Sequence, residues 1–351
     1  MNSSHLIDSD MNSLSKVNDS PSIISSVASL TTYQIQKPLQ NGPNNSGPTT
    51  NAKEEILRGL VEQLHKTIRG QEHIIPKIVS VLERGELGLT PSNRPKGSFL
   101  FVGATGVGKT ETALTFTEHL FGPGSLHRFD MSEFQHQPSI SLLLGANPNE
   151  SGLLGNAIDS LPNGGTLLFD EIEKAHPLIL DLFLQILDAA RITPADGRTR
   201  DLSKFYVVLT SNIGAAYAMR IQLSGISAIE RTVLAHVQQN LRPELVARIT
   251  EKIVFARLTH EHVREICQTL LNKELTRLAK LGYKLTASPN AVEWLIRKGF
   301  DSKYGARPLR DTIERSVQNT LAKSILNKQL TSGVLTVSKD HSSLIVTDLL
   351  I

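Results

Sequence analysis

The spacing of apolar residues changes along the chain and indicates where folded structure begins. Residues 1–50 are rich in Ser, Asn, Thr, Gln and Pro and hold few large apolar side chains, which is typical of a disordered tail. From about residue 51 apolar side chains recur at helical spacing, as in Ile56, Leu60 and Leu64. The pattern therefore predicts a disordered tail over residues 1–50 and a folded region after it.

Further along, short apolar runs alternate with longer amphipathic segments. The runs at residues 98–102, 166–169 and 206–209 are too short for helices and almost wholly apolar, so they are predicted to be buried strands. Strands that alternate with helices form a parallel sheet covered by helices. We therefore predict an α/β domain over residues 51–256.

After about residue 256 the pattern changes again, and amphipathic helical segments dominate. Two short strand candidates lie among them, at residues 284–286 and 333–337. This mixture predicts a second, smaller α+β domain over residues 257–351.

Composition and charge exclude several classes of function. Lys and Arg number 37 against 34 Asp and Glu, and the formal net charge of +3 is too small to favour nucleic acid or an anionic membrane. No apolar stretch reaches the roughly eighteen residues of a membrane-spanning helix. Cys267 is the only cysteine, which excludes an intrachain disulfide and a thiolate metal site. We expect a cytoplasmic protein with neither a nucleic-acid nor a membrane partner.

Residues 103–110 read Gly-Ala-Thr-Gly-Val-Gly-Lys-Thr and match the phosphate-binding pattern G-x-x-x-x-G-K-[S/T] at every fixed position. A predicted strand precedes the loop and a predicted helix follows it, so backbone N–H groups and a helix N-terminus converge on bound phosphate. An ordinary glycine-rich turn is the alternative. The pattern predicts that ATP and Mg²⁺ bind here, with Lys109 on the outer phosphates and Thr110 on the metal. The predicted binding residues of the loop are Gly103, Thr105, Gly106, Val107, Gly108, Lys109 and Thr110.

An acidic pair follows the apolar run at residues 166–169. Asp170 and Glu171 lie at the carboxyl end of a predicted strand, where α/β sheets place ligands. Alone, such a pair is more often a helix cap, but together with the phosphate loop it predicts a magnesium ligand in Asp170 and a general base in Glu171. The run at residues 206–209 leads to Asn212 at the same edge. An Asn at the end of a strand is more often a turn former, but beside the phosphate loop and the acidic pair it is predicted to position water or read the γ-phosphate.

Several strings, in this order along the chain, resemble the second nucleotide-binding module of Clp-type AAA+ unfoldases and disaggregases. The resemblance extends over about residues 68–337. The strings are FDMSEF at 129–134, LFDEIEKAHP at 168–177, GRT at 197–199, TSN at 210–212, LRPE at 241–244 with Arg248, and YGARPL at 304–309.

The resemblance implies a fold and further site residues. The fold would be the P-loop NTPase large domain of AAA+ proteins followed by a small lid domain. Asn212 looks like the sensor 1 residue, Arg307 like the sensor 2 arginine, and Arg248 like the arginine finger that a neighbouring subunit supplies. Ile68, followed by Gly70 and Gln71, resembles the segment that holds adenine. A shared site of this kind implies a homo-oligomer, most simply a hexameric ring. For any single arginine, the alternative is a surface ion pair.

One segment departs from the family pattern. Members that thread polypeptide carry a loop with an aromatic residue between glycines, whereas residues 144–156 here read LGANPNESGLLGN and contain no aromatic residue. The departure puts threading in doubt. Leu153 and Leu154 could substitute only weakly for the aromatic residue, and they are more simply explained as core residues at the start of a helix.

We therefore predict an ATPase that couples ATP hydrolysis to remodelling of a protein partner. The alternative is a nucleotide-dependent assembly scaffold or switch that does not thread polypeptide, which the missing aromatic residue favours. A nucleic-acid loader or motor is a further alternative, but the chain lacks a basic patch.

Overall fold

A computed structural model of the chain describes residues 50–215, 225–301, 304–327 and 332–348. The tail predicted over residues 1–50 lies almost wholly outside the described residues. The described residues from position 50 onward belong to one compact unit. The division into domains at residues 256 and 257 therefore stays a prediction.

Five strands form one parallel sheet in the order β2-β3-β6-β1-β7. The strands are β1 (Gly97–Val102), β2 (Leu126–Asp130), β3 (Gly165–Asp170), β6 (Phe205–Ser211) and β7 (Glu251–Val254). β1, β3 and β6 are buried along their whole length, as their apolar runs predict. The predicted parallel sheet is confirmed. The sequence analysis missed β2 and β7, because these edge strands mix polar and apolar residues.

Helices cover both faces of this sheet. Successive strand residues point to opposite faces, so Phe99 and Phe101 pack in one core while Leu100 and Val102 pack in the other. The first core includes side chains of α1, α2 and α3, and the second includes side chains of α4, α5 and α6. The helices are α1 (Thr50–Thr67), α2 (Ile75–Glu86), α3 (Lys109–Phe121), α4 (Gln137–Leu144), α5 (Gly152–Asp159) and α6 (Pro177–Ala189).

The chain then forms α7 (Ile226–Asn240) and α8 (Pro243–Arg248) before β7. Short 3₁₀ helices follow β2 and β3 at Met131–Phe134 and Ile172–Lys174, and β4 (Arg191–Ile192) pairs with β5 (Arg200–Asp201) as an antiparallel hairpin. Val233 and Val237 of α7 and Leu245 of α8 belong to the same core as α6.

The C-terminal elements enclose a core of their own. Helices α9 (His260–Lys280), α10 (Pro289–Gly299) and α11 (Arg307–Leu326) accompany a three-stranded sheet of β8 (Lys284–Ala287), β9 (Ser332–Val337) and β10 (Leu344–Thr347). Cys267, Trp294 and Leu309 are buried in this core, and burial raises the pKa of the Cys267 thiol to about 12. The mixture of helices and strands agrees with the predicted α+β character.

No helix in the described ranges is both long and apolar enough to cross a membrane. The predicted cytoplasmic location stays a prediction.

Candidate functional site

The phosphate-binding loop joins β1 to α3 at the carboxyl edge of the sheet. Gly108 adopts a left-handed conformation (φ 107°) directly before α3, and no side chain caps that helix. The first backbone N–H groups of α3 therefore remain available to an anion. The helix dipole also favours a negative charge at this end of α3. Gly106 is left-handed as well (φ 75°). These conformations explain why the loop needs glycine at both positions.

Lys109 is buried within this loop. Its ammonium donates to the carbonyl oxygens of Gly103 and Ala104 and to Oδ1 of Asn212, the last at 2.8 Å. Burial lowers the pKa of Lys109 to about 8, although the carboxylates of Asp170, Glu173 and Glu171 act in the opposite direction. Because that burial disfavours the charged form, the site is suited to an additional negative charge.

Asp170 ends β3 beside the loop, and both of its carboxylate oxygens accept hydrogen bonds. Thr210 of β6 donates to Oδ1, and Arg128 of β2 lies 2.5 Å from Oδ2. The hydroxyl of Thr110 and the carboxylate of Asp170 line the same cavity and are the hard oxygen donors that Mg²⁺ prefers. The residues present therefore fit a nucleotide-bound magnesium ion. In the described part of the chain, no cluster of three or more His, Cys, Asp or Glu could hold a metal by itself.

Glu171 has an unusual backbone conformation for a residue with a side chain. Its φ of 56° lies in the left-handed region, which costs roughly 1–2 kcal/mol, and its N–H donates to the hydroxyl of Thr210 at 3.1 Å. Its carboxylate accepts from the amide of Asn212 at 3.0 Å and lies 2.5 Å from the ammonium of Lys174. Such strain is common at functional sites.

Asn212 connects the phosphate loop with the acidic pair. Its Oδ1 accepts from Lys109, its Nδ2 donates to Glu171, and its backbone N–H donates to Oε1 of Glu173 at 2.9 Å. The other oxygen of Glu173 is buried and has no hydrogen-bond partner among the residues that the structure describes. Sequence reasoning missed Glu173 and Arg128. Glu173 lies inside the string LFDEIEKAHP, and Arg128 directly precedes FDMSEF. The positions of these two strings could therefore have indicated both residues.

A cavity of about 470 Å³ collects most of the predicted site residues. Among the residues that line it are Ile68, Thr105, Gly106, Val107, Gly108, Lys109, Thr110, Asp170, Glu171, Asn212 and Arg307. Gly103 contributes a carbonyl oxygen that accepts from Lys109. Ile266 and Leu270 of α9 line the cavity together with Ile68, so its lining is partly apolar.

Gln71 lies three positions after Ile68, but it is buried in the interior whereas Ile68 lines the cavity. Its side chain is fully buried, exchanges two hydrogen bonds with the backbone of Ala256 at 2.9 and 2.8 Å, and donates to the carbonyl of Val107 at 3.4 Å. Gln71 does not line the cavity. It ties the phosphate loop to the segment that leads into α9.

The turn before α11 rests directly on the phosphate loop. The N–H of Ala306 donates to the carbonyl of Gly106 at 3.3 Å, and a side chain at Gly106 would come within 2.1 Å of the carbonyl oxygen of Tyr304. A side chain at Gly305 would meet the carbonyl oxygen of Thr105 at 2.6 Å. Arg307 enters the cavity from this turn, so the contact sets its distance from the phosphate loop.

Arg248 is the predicted site residue that lies apart. It ends α8 and bonds Asp188 of α6, and it is not among the residues that line the cavity. The segment without an aromatic residue leads into α5, where Leu154 is buried and Leu153 remains 43% exposed. The prediction of a core residue therefore holds for Leu154 but is wrong for Leu153.

Comparisons with known proteins agree with this arrangement. Residues 94–252 match the family described as AAA domain (Cdc48 subfamily), and residues 258–337 match the C-terminal, D2-small domain of ClpB protein. The chain is 39% identical over 284 residues to the chaperone protein ClpB of Vibrio vulnificus, covering 78% of this chain and 33% of the relative. It is 38% identical over 307 residues to ClpB of Aquifex aeolicus, covering 83% of this chain and 30% of the relative.

Two solved structures of Hsp104 are also similar to this chain. The S. cerevisiae Hsp104–ADP complex superposes with a TM-score of 0.76 at 31% identity over 84% of this chain and 53% of that chain. A closed-state reconstruction of Hsp104 with ATPγS and FITC casein gives a TM-score of 0.74 at 30% identity, over 86% and 53%. The chain thus spans about a third of the curated relatives and about half of these structures.

Proposed function

The chain belongs to the Clp-type AAA+ ATPases, and from this we propose that it hydrolyses ATP in the cavity beside β1 and β3 and uses the energy to remodel a protein partner. The observation that carries the proposal is the hydrogen-bond chain from Lys109 through Asn212 to Glu171. It joins the residue suited to the phosphates with the residue suited to activate water, next to Asp170.

Each residue at the phosphate end has a chemical role in the proposal. The backbone N–H groups at Gly106, Gly108 and the start of α3 bind phosphate oxygens, and Lys109 turns from the loop carbonyls to the outer phosphates. Thr110 and Asp170 would hold magnesium, which neutralises phosphate charge when it is bound. To hold the metal, Asp170 would give up its bond with Arg128.

Glu171 is the proposed general base, and Asn212 holds it. The carboxylate of Glu171 accepts the proton of the attacking water, while Nδ2 of Asn212 fixes the orientation of the carboxylate. Arg307 lines the same cavity, which supports the proposal that it contacts the γ-phosphate. Ile68, Ile266 and Leu270 also line the cavity and would supply apolar contacts for the adenine ring.

The position of Arg248 supports an oligomer. An arginine finger stabilises charge on the transferred phosphoryl group, but Arg248 does not line the cavity of its own chain. If Arg248 is a finger, it would therefore have to act on the nucleotide of a second copy. We therefore propose a homo-oligomer in which each nucleotide lies between two chains, with a closed hexameric ring as the simplest form.

The remodelling of a protein is the part of the proposal that rests most on the relatives. Two of them are named chaperone proteins, and one structural relative was determined with FITC casein. These names favour remodelling over the alternative of a scaffold that assembles without threading polypeptide. The absence of an aromatic residue from 144–156 argues that any threading here does not rely on a gripping ring.

ATP turnover per chain, measured over a range of protein concentrations with light scattering in parallel, tests the proposal. We expect turnover to rise with assembly and to be stimulated by an unfolded polypeptide. Glu171→Gln should bind ATP as tightly as the wild type and show no turnover. Assembly with negligible, unstimulated turnover would favour the scaffold, and full turnover in Glu171→Gln would remove Glu171 as the base.

A further inference from the structure

One face of α6 carries two carboxylates that each bind an arginine of α8 or its N-cap. Asp181 and Asp188 lie seven residues apart, two helical turns, and therefore on the same side of α6. Asp181 pairs with Arg242 at the N-cap of α8, and Asp188 pairs with Arg248 at its last residue. Both pairs are partly exposed. The face thus presents two similar ion pairs, of which only one contains the proposed finger.

The guanidinium of Arg248 is fixed on two sides. Its Nε donates to Oδ2 of Asp188, and its Nη1 donates to the carbonyl of Glu244 at 3.1 Å. Within the described residues, neither bond uses Nη2, so this edge remains free to meet a further acceptor. The side chain is 34% exposed, which leaves it accessible from outside the chain. A planar fork held in this way has one orientation relative to α8.

We propose that Asp188 is a positioning residue for Arg248, which it aims at the nucleotide bound by a second copy of this chain. The inference rests on the proposed function, because it assumes that Arg248 completes a neighbouring site. An exposed ion pair contributes little to stability. Orientation contributes more to catalysis, since a displacement of about 1 Å at a reacting group can reduce the rate by about a hundredfold.

A different role for the same contact predicts the opposite effect. If Asp188 held Arg248 away from its target, removing the carboxylate would release the arginine and raise turnover. If the pair only stabilised the fold, its loss would affect the chain that carries the substitution and no other. Turnover and its dependence on the neighbouring chain therefore separate the three roles.

The first experiment compares Asp188→Asn with Asp181→Asn, its matched control on the same helix face. Assembly by light scattering and nucleotide affinity should be unchanged in both variants. We expect kcat of Asp188→Asn to fall about tenfold or more with KM nearly constant, because the finger acts on the transition state. Asp181→Asn should stay within about twofold of the wild type. Wild-type or increased kcat in Asp188→Asn would overturn the inference.

The second experiment asks whether the defect acts on the neighbour. Asp188→Asn chains keep an intact base, and Glu171→Gln chains keep an intact finger with its support. Excess Glu171→Gln chains should therefore raise turnover per Asp188→Asn chain about severalfold in mixed assemblies. Glu171→Gln chains that also carry Arg248→Ala should not raise this turnover, because they supply no finger. Equal turnover in both mixtures would show that Asp188 acts within its own chain and would overturn the inference.

Failure of the inference can be distinguished from failure of the proposed function. If Arg248→Ala loses turnover while Asp188→Asn does not, the finger stands and the positioning role of Asp188 is wrong. If Arg248→Ala hydrolyses ATP like the wild type, the shared site itself is wrong, and the inference falls with it.

Discussion

The buried charge of Lys109 makes the stability of the nucleotide-free protein depend on pH. Its pKa in the folded chain is about 8, against an ordinary value of 10.5, because burial disfavours the ammonium. Between these two values the unfolded chain binds the proton and the folded chain does not. Stability therefore increases with pH across this window, and the penalty for the buried charge is complete below about pH 8.

The size of the effect follows from the shift. One pKa unit corresponds to about 1.4 kcal/mol, so the full penalty is about 3 kcal/mol below pH 8. Between about pH 7 and about pH 9.5 roughly 2 kcal/mol of that penalty should disappear. Replacing Lys109 by Met removes the titrating group and keeps a stem of similar length. It also removes three hydrogen bonds, but their loss adds an offset that does not vary with pH.

Urea unfolding of the wild type and Lys109→Met without nucleotide, at several pH values, measures this effect. The difference between the two free energies of unfolding cancels the titration of all other groups. We expect the wild type to gain about 2 kcal/mol on the variant as pH rises from about 7 to about 9.5. Affinity of the wild type for ATP should fall over the same range, because the neutral lysine binds phosphate poorly. A difference that is constant with pH, or that changes in the opposite direction, would refute the reasoning.

Three further predictions concern single side chains. Glu173→Ala removes the carboxylate that accepts a hydrogen bond from the backbone N–H of Asn212. ATP turnover should therefore fall about tenfold or more, while binding of a fluorescent nucleotide changes less. An equal loss of turnover and binding would contradict this prediction. Gly305→Ala adds a methyl group against the phosphate loop at a residue with left-handed backbone conformation. Nucleotide affinity should therefore fall at least about tenfold. Unchanged affinity would argue against a close contact between Gly305 and the phosphate loop. Tyr206→Phe removes a buried hydroxyl that donates to Glu86 at 3.0 Å, and urea unfolding should show a loss of about 1 kcal/mol; no loss would mean that the bond contributes nothing.

The sequence patterns that proved reliable are those formed by consecutive residues. The central strands were visible as apolar runs because strands buried on both faces have no polar side, and the structure buries all three. Edge strand β2 was missed, since His127 and Arg128 interrupt its apolar pattern. The phosphate loop could be read directly because its function depends on local backbone conformation and on the helix that follows.

The candidate site could be predicted in part for the same reason. Asp170 and Asn212 each follow an apolar run, and parallel strands bring such positions to one edge, where the structure has them. The sequence did not show which side chains Asp170 and Asn212 bond at this edge. Gln71 seemed to belong to the adenine segment, yet its buried amide bonds Ala256, 185 residues further along the chain.

By itself, the sequence determined which segments bind phosphate, which strands are central and which family patterns the chain contains. Only the tertiary structure decided that Asn212 joins Lys109 to Glu171, that Glu173 holds Asn212, and that Arg248 rests on Asp188. Each of these contacts links residues 39–103 positions apart. Local spacing specifies conformation and burial within one element, whereas partners across elements depend on how strands align and how helices pack against each other.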